Sequence, residues 1–333
     1  MDSYRKLKKF PFCGKIKTMK NEDFKIFATN SHQTFAKKIA KILKKDLGKL
    51  TSKKFSCGEN YVNFDETIRG REVFLIGTTR TEKMNEDFWE IFLLADAAKR
   101  SFAKKVHLIL PHLAYARQDK IHAARESISA KLIAKLLRTA GVEHLLCLHL
   151  HTDQIQGFFD FPVDNLNAQK LFIEKIKNEK IKNLTIVSPD AGGAKFAKKF
   201  ADELNLNLAI LHKTRPAHNS AEISEIIGNV KNKNCLLLDD MVDTAGSICA
   251  AKTALQNAGA KNIFLAATHA IFSGRAVENL RAANFTKIFV ADSLPLENKI
   301  IENLKIEIVE TAPLFANAIK NNFHDRSVSK LFF

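Results

Sequence analysis

One stretch limits what this chain can fold into more than any other: Cys235-Leu-Leu-Leu-Asp-Asp-Met-Val-Asp-Thr-Ala-Gly-Ser-Ile248. Its opening residues are apolar without alternation, as in a strand buried on both faces, which points to a parallel sheet covered by helices on each side. The run ends in two adjacent carboxylates, Asp239 and Asp240, followed by Asp243, Thr244, Ala245, Gly246 and Ser247, and then by a helical pattern over Ile248–Asn257. Small and hydroxyl-bearing residues at a helix N-terminus leave unpaired N–H groups converging where the helix dipole is positive, a place suited to a phosphate. The acidic pair repels phosphate but can hold sugar hydroxyls, or Mg²⁺ through water. Together these features suit a phosphorylated ribose; the bland alternative is an ordinary strand–loop–helix corner with a Thr/Ser cap.

Size permits two domains, since 333 residues exceed what one open sheet of common size uses. A hydrophobic share of 46% with 26% charged residues is that of a globular chain, and no apolar run approaches the roughly 18 residues that span a bilayer. Residues 1–22 are basic but lack the apolar core of a secretory signal; they read as an extension or targeting segment, with Met19 as a possible internal start. Five cysteines form an odd set without CxxC spacing, which argues against a disulfide framework or zinc site and for a reducing, cytoplasmic setting. The net charge of +16 raises the question of a nucleic-acid partner. The lysines, however, line helix faces, as in Ala36-Lys-Lys-Ile-Ala-Lys-Ile-Leu-Lys-Lys45, so solvated faces and no nucleic acid are the expectation. A positive field of this kind also attracts polyanionic substrates.

From Phe24 onward, short apolar strands alternate with amphipathic helices. Strands are expected at Lys25–Thr29, Glu72–Gly77, Lys105–Leu110, His144–Leu150, Leu184–Ser188, Leu208–His212, Asn262–His269 and Lys287–Ala291. Helices are expected over Asn85–Arg100, Ser129–Ala140, Ala168–Lys177, Gly193–Leu204 and Gly274–Ala282, with an earlier one capped by Ser31 and closed by Gly48. The fold class is therefore α/β, with mainly parallel sheets in two side-by-side domains joined at Asn165–Asn167. Such sheets bind ligands at the carboxyl ends of their strands, and the polar motifs of this chain sit there.

Four further motifs follow apolar runs. Pro111–Lys120 contains Arg117, whose planar fork meets phosphate oxygens, with Gln118 and Asp119 beside it. His151 opens the segment His151–Asn165, where it could ligate a cation or touch a phosphate, though imidazole is a soft partner for Mg²⁺. Ser188–Gly193 repeats the strand–loop–helix pattern with Asp190 before a double glycine. Lys213 and Arg215, two apart in an extended segment before the turn-prone Pro216–Ser220, read as cations on a mobile loop that could close over a polyphosphate. For each, a solvated or structural role is the competing reading.

The Asp239–Ser247 loop resembles the phosphoribosyl-diphosphate (PRPP) loop shared by phosphoribosyltransferases and ribose-phosphate pyrophosphokinases. The ordered set Pro111–Lys120, His151–Asn165, Ser188–Gly193, Lys213–Arg215 and Asp239–Ser247 is similar to the second family, from about Phe24 to the tail around Ser327–Phe332. Phe55-Ser-Cys-Gly-Glu59, Thr67-Ile-Arg-Gly70 and Arg125–Lys131 match as well. The resemblance implies two phosphoribosyltransferase-like domains, residues 23–166 and 167–317, with a tail over 318–333 packing back on the first. It implies Mg²⁺-dependent transfer of the β,γ-diphosphoryl group of ATP to the C1 hydroxyl of ribose 5-phosphate. Asp239, Asp240 and Asp243–Ser247 would hold the sugar phosphate; Arg117, Gln118, Asp119 and His151 would serve ATP and its metal, with Asp190 on a second Mg²⁺. Lys213 and Arg215 would be catalytic. Phe55, Cys57 and Glu59 would reach the adenine of a neighbouring subunit in an oligomer built from dimers toward a hexamer. Arg69, Arg125, Ser327 and Ser329 are the candidate regulatory residues. The chain departs from the family at Cys57, where Asp or Asn is usual, and at His149, where a carboxylate is usual. The Ile-His-Ala-Ala run after Lys120 also lacks cations common in regulated members. A non-catalytic regulatory paralogue and a phosphoribosyltransferase are the alternative readings.

Overall fold

The computed structural model describes residues 24–217 and 220–331, and of residues 213–217, 220–224 and 330 the backbone only. The basic N-terminal extension, with Cys13 and Met19, lies outside the described residues. The N-terminal half opens with β1 (Lys25–Ala28), α1 (Gln33–Leu43) and the hairpin β2 (Leu50–Lys54) and β3 (Asn60–Phe64). β4 (Glu72–Ile76), α2 (Met84–Arg100), β5 (Lys105–Leu110), α3 (Ser129–Ala140), β6 (His144–Leu148) and β7 (Val163–Leu166) complete it. α4 (Gln169–Asn178) then leads to β8 (Leu184–Ser188), α5 (Ala194–Leu204) and the hairpin β9 (Asn207–Ala217) and β10 (Ser220–Ile227). β11 (Asn234–Val242), α6 (Gly246–Asn257), β12 (Ile263–Ala270) and α7 (Ala276–Ala283) follow. β13 (Ile288–Ala291), α8 (Asn298–Asn303), β14 (Ile306–Val309) and α9 (Ala312–Phe323) come last.

Two large sheets result among the described residues, ordered β1-β4-β5-β6-β7 and β10-β9-β8-β11-β12-β13-β14, beside the two-stranded β2-β3 ribbon. Within the two large sheets every pairing is parallel except that of β9 with β10, and the β2–β3 ribbon is antiparallel. The α/β expectation thus holds, for the reason the sequence suggested: β6 and β8 are buried along their whole length, as parallel strands under helices on both faces must be.

On one face of the first sheet, α2 and α3 bury Phe88, Ile91, Leu94, Ile133 and Leu137. On the outer face of the second, α6 and α7 cover Leu237, Leu265 and Val290. The remaining faces share a single core in which α1, α4, α5 and α9 meet. α9 belongs to the end of the chain yet packs on the beginning: Phe315 meets Phe35 edge-on at 5.4 Å, and Phe323 meets Phe24 at 4.6 Å. Asn322 also donates to Asp164 of β7 at 2.9 Å. The loops that follow β5 and β6 consequently meet the end of β11, where Arg117 bonds Asp243 and His151 bonds Asp240.

Some details differ from the sequence reading. Ser31 is not the cap of α1; its hydroxyl accepts the Thr78 backbone N–H at 2.7 Å and bonds Thr29, while His32 occupies the capping position. The helix is closed by Lys44 in a left-handed conformation rather than by Gly48. Gly48 instead makes room for Phe27, since a Cβ there would lie 2.3 Å from the buried ring. β2, β3, β7, β10, α8, β14 and α9 escaped the sequence reading. β2 and β3 contain no fully buried residue, so their pattern lacks the apolar signal of a core strand. Gly48→Ala is expected to destabilise the fold by about 1–3 kcal/mol through overpacking against Phe27. Urea denaturation would show this as a lower midpoint, and an unchanged midpoint would mean that the Phe27 ring yields freely.

Candidate active site

The acidic pair lies where the pattern put it, at the carboxyl end of the central strand of the larger sheet. β11 pairs with β8 through Leu237 and Val187, so Asp239 and Asp240 emerge next to the Ser188–Gly193 turn. Two carboxylates on successive residues at a half-buried strand tip repel each other. Burial, and then the charge of Asp240, push Asp239 well above the usual carboxylate range. Burial alone would also raise Asp240, but a hydrogen bond from His151 overrides it and holds Asp240 low. The imidazole Nδ1 of His151 lies 2.6 Å from Asp240 Oδ2. That bond, more than any other contact, raises the pKa of His151 above its ordinary value. The two carboxylates of the pair are thus pushed apart, Asp239 upward by burial and its neighbour's charge and Asp240 downward by His151.

His151 comes from the loop after β6, in the other half of the chain. A second bridge crosses the same gap: Arg117 Nη1 donates to Asp243 Oδ2 at 2.6 Å. The two bridges differ in strength. Arg117 is 59% exposed and Asp243 32%, so their pairing contributes no more than about 0–1 kcal/mol. His151 at 35% and Asp240 at 19% are better shielded from water. Arg117 can therefore leave its partner for a stronger anion at little cost, whereas His151 remains tied to the acidic pair.

Past Asp243, Thr244, Gly246 and Ser247 are exposed while Ala245 is buried with a φ of 64°. α6 begins at Gly246, and among the described residues no side chain caps it. Its first N–H groups are thus open toward the side that carries Thr244 and Ser247. On the neighbouring turn, Asp190 Oδ1 accepts the Gly193 N–H at 3.0 Å, and the Asp190 charge is among those that raise Asp239. Gln118 accepts a hydrogen bond from Ser129, and Asp119 Oδ2 accepts one from Thr152 at 2.7 Å, which fixes the Arg117 loop from behind.

Lys213 and Arg215 were expected on a loop. Their backbone instead belongs to β9, which runs on to Ala217 and pairs with β10, with Lys213 opposite Ile223. β8 ends at Ser188, opposite Ile210, so the arm continues past the carboxyl edge of the sheet. At roughly 3.3 Å per residue, Lys213 is carried about 10 Å beyond that edge. Both side chains lie outside the described residues.

Other expected residues are not gathered here. Phe55, Cys57 and Glu59 are exposed at the tip of the β2–β3 hairpin, where the Phe55 N–H donates to the Glu59 carbonyl at 2.8 Å and Phe55 packs on Tyr61. Arg69 stacks over Phe102 at 4.3 Å, and Arg125 is exposed with a φ of 73°. Ser327 and Ser329 bond one another at 3.0 Å beyond α9. His149 turns its Nδ1 to Thr268 Oγ1 at 2.6 Å across the two halves, and burial lowers its pKa.

The sequence reading missed His112 and His269, which line a small cavity with His149 and His151. His269 joins the halves through Nε2, 3.0 Å from the Leu148 carbonyl, while its Nδ1 meets Ser293 of its own half at 2.9 Å. His112 opens the Pro111–Lys120 motif beside more conspicuous polar residues, and His269 sits inside the apolar strand β12, so neither stood out.

Among the described residues, no cluster of three or more His, Cys, Asp or Glu side chains could enclose a metal ion, and no helix is long and apolar enough to cross a membrane. Comparison with known sequences finds that residues 24–141 match the N-terminal domain of ribose phosphate pyrophosphokinase. Residues 219–333 match the phosphoribosyl synthetase-associated domain. The chain is 42% identical over 311 residues to a ribose-phosphate pyrophosphokinase of Fusobacterium nucleatum, covering 92% of this chain and 98% of the relative. It is 46% identical over 309 residues to that of Chlorobaculum tepidum, covering 92% and 94%. Among solved structures, the phosphoribosylpyrophosphate synthetase of Mycobacterium smegmatis superposes with a TM-score of 0.85 at 38% identity, covering 91% of this chain and all of that one.

His151 is expected to titrate above its ordinary value near 6.5, and Asp240→Asn should lower that value. Because folding raises this pKa, the stability the pair contributes is fully present below about 6.5 and is lost as pH rises through the folded value. An NMR pH titration of the imidazole checks both points; a His151 that titrates unchanged in Asp240→Asn would remove the pairing.

Proposed function

The chain belongs to the ribose-phosphate pyrophosphokinase family, and from that membership we propose that it transfers the β,γ-diphosphoryl group of ATP to ribose 5-phosphate, yielding PRPP and AMP. The observation that supports this reading is the double bridge, Arg117–Asp243 and His151–Asp240, which sets a phosphate-binding fork directly against the sugar-phosphate loop. A phosphoribosyltransferase has no use for the first half of that arrangement.

In the proposed reaction, the C1 hydroxyl attacks the β-phosphorus and loses its proton, while the bond from that phosphorus to the oxygen of the leaving AMP breaks. Asp239 and Asp240 hold the ribose hydroxyls, and the N–H groups of residues 244–247 receive the 5-phosphate. Arg117 exchanges Asp243 for ATP phosphate oxygens, with Gln118, Asp119 and His151 at the nucleotide side. Lys213 and Arg215 neutralise charge that builds on the migrating group, which is where phosphoryl-type transfer gains most of its rate.

The proposed ion is Mg²⁺, which is commonly held by one or two carboxylates with water and substrate phosphates supplying the rest; Asp190, at the end of the strand next to β11, offers hard oxygens of that kind. Asp190 is the proposed holder; His151 offers only Nε2, because Nδ1 belongs to Asp240. When bound, the ion would offset phosphate charge. In this reading the hairpin-tip residues Phe55, Cys57 and Glu59 would reach the adenine bound to a neighbouring subunit of a homo-oligomer, and Arg69, Arg125, Ser327 and Ser329 would be regulatory. A cytoplasmic location agrees with these substrates.

Purified protein should form AMP from ATP only when ribose 5-phosphate and Mg²⁺ are both present, and chelation should abolish the reaction. Binding of ribose 5-phosphate without AMP formation would favour the regulatory-subunit reading. Lys213→Ala should lower kcat by about 10²–10³-fold with small changes in KM, as expected for a group that acts in the transition state. Unchanged turnover would remove Lys213 from the mechanism.

A further inference from the structure

The segment after β12 holds the sugar-phosphate loop at several points. The Phe272 N–H donates to the Val242 carbonyl at 3.0 Å, and the Ser273 N–H donates to the Asp243 carbonyl at 3.2 Å. The Ser273 hydroxyl donates to Asp243 Oδ1, the oxygen that Arg117 leaves unused. From α7, Asn279 Nδ2 donates to the Thr244 carbonyl at 2.9 Å. On its far side the segment is tied to the other half of the chain, where the Thr81 hydroxyl donates to the Ile271 carbonyl at 2.5 Å.

These bonds matter because of Ala245. A left-handed φ costs an alanine about 1–2 kcal/mol, so the loop keeps this form only if something outside it does the holding. The peptide between Thr244 and Ala245 is trans, so its C=O and N–H point in opposite directions. Pinning the Thr244 carbonyl to Asn279 therefore turns the Ala245 N–H away from α7. Ser273 likewise fixes the rotation of the Asp243 carboxylate that receives Arg117.

We propose that Ser273 and Asn279 are positioning residues for the ribose 5-phosphate loop: Asn279 aims the Ala245 amide at the phosphate, and Ser273 orients Asp243. This rests on the reading of residues 243–247 as the sugar-phosphate site. Neither residue touches substrate; both act through the loop backbone and Asp243.

The test uses the full-length protein, with titration calorimetry of ribose 5-phosphate and steady-state AMP formation. Asn279→Ala should weaken ribose 5-phosphate binding and raise its KM by about tenfold, the size of one lost hydrogen bond, with KM for ATP within about twofold of the parent. Ser273→Ala should act in the same direction, and Ser273→Thr, which keeps the hydroxyl, should restore the parent value. A merely structural role would lower thermal stability without separating the two substrates. Folded Asn279→Ala and Ser273→Ala proteins with unchanged ribose 5-phosphate affinity would overturn the proposal. So would an equal loss for both substrates. If the parent protein turns over normally while the variants stay unmoved, only the positioning roles fail. If the parent neither binds ribose 5-phosphate nor forms AMP, the site reading fails with them.

Discussion

Two carboxylates on consecutive residues at a half-buried strand tip cannot both be charged without help. At about 4 Å and an effective dielectric near 20, like charges repel by about 4 kcal/mol. In the Asp239–Asp240 pair burial and the neighbouring charge raise Asp239, while the hydrogen bond from His151 holds Asp240 low. Because His151 belongs to the other half of the chain, this relief at one strand end is available only with both halves docked. The structure is built around that need. α9 returns to α1, a shared core fixes the sheets, and His149, His269 and Thr78 bond across the seam.

The seam is rigid where it is buried and yielding where it meets solvent. His269, His149 and Thr78 make their bonds away from solvent. Arg117–Asp243, at the mouth, is exposed and correspondingly weak. A site that must admit two anionic substrates gains from holding its basic residue on a weak internal anion. The side chain stays extended toward the gap and loses little when it changes partner.

Much of this was legible in the sequence because parallel strands follow strict rules. An unbroken apolar run must be buried on both faces, and its polar successor must emerge at the carboxyl edge. Asp190, Asp239, Asp243 and Arg117 were found that way. What stayed hidden depends on docking or on backbone choices that leave no local trace. Nothing near His151 names Asp240 as its partner, since the two are 89 positions apart. Ser31 looked like a helix cap because its spacing fits one, but Thr78 and Thr29 claim its hydroxyl. Gly48 looked like a helix stop, whereas Lys44 takes the left-handed position and the glycine serves Phe27. The polar, proline-containing end of β9 read as a loop because pairing with β10 can make a strand of a segment with no apolar pattern of its own.

The central claim is that sugar phosphate and nucleotide meet across the Arg117–Asp243 gap, with the acidic pair beneath. A crystal structure with ribose 5-phosphate and a non-hydrolysable ATP analogue tests it most directly, through the atoms that Arg117 and the residue 244–247 amides bond. The account predicts the 5-phosphate on those amides, His151 still on Asp240, and Arg117 transferred to the nucleotide phosphates. Arg117 still paired with Asp243 while both ligands bind elsewhere would contradict it.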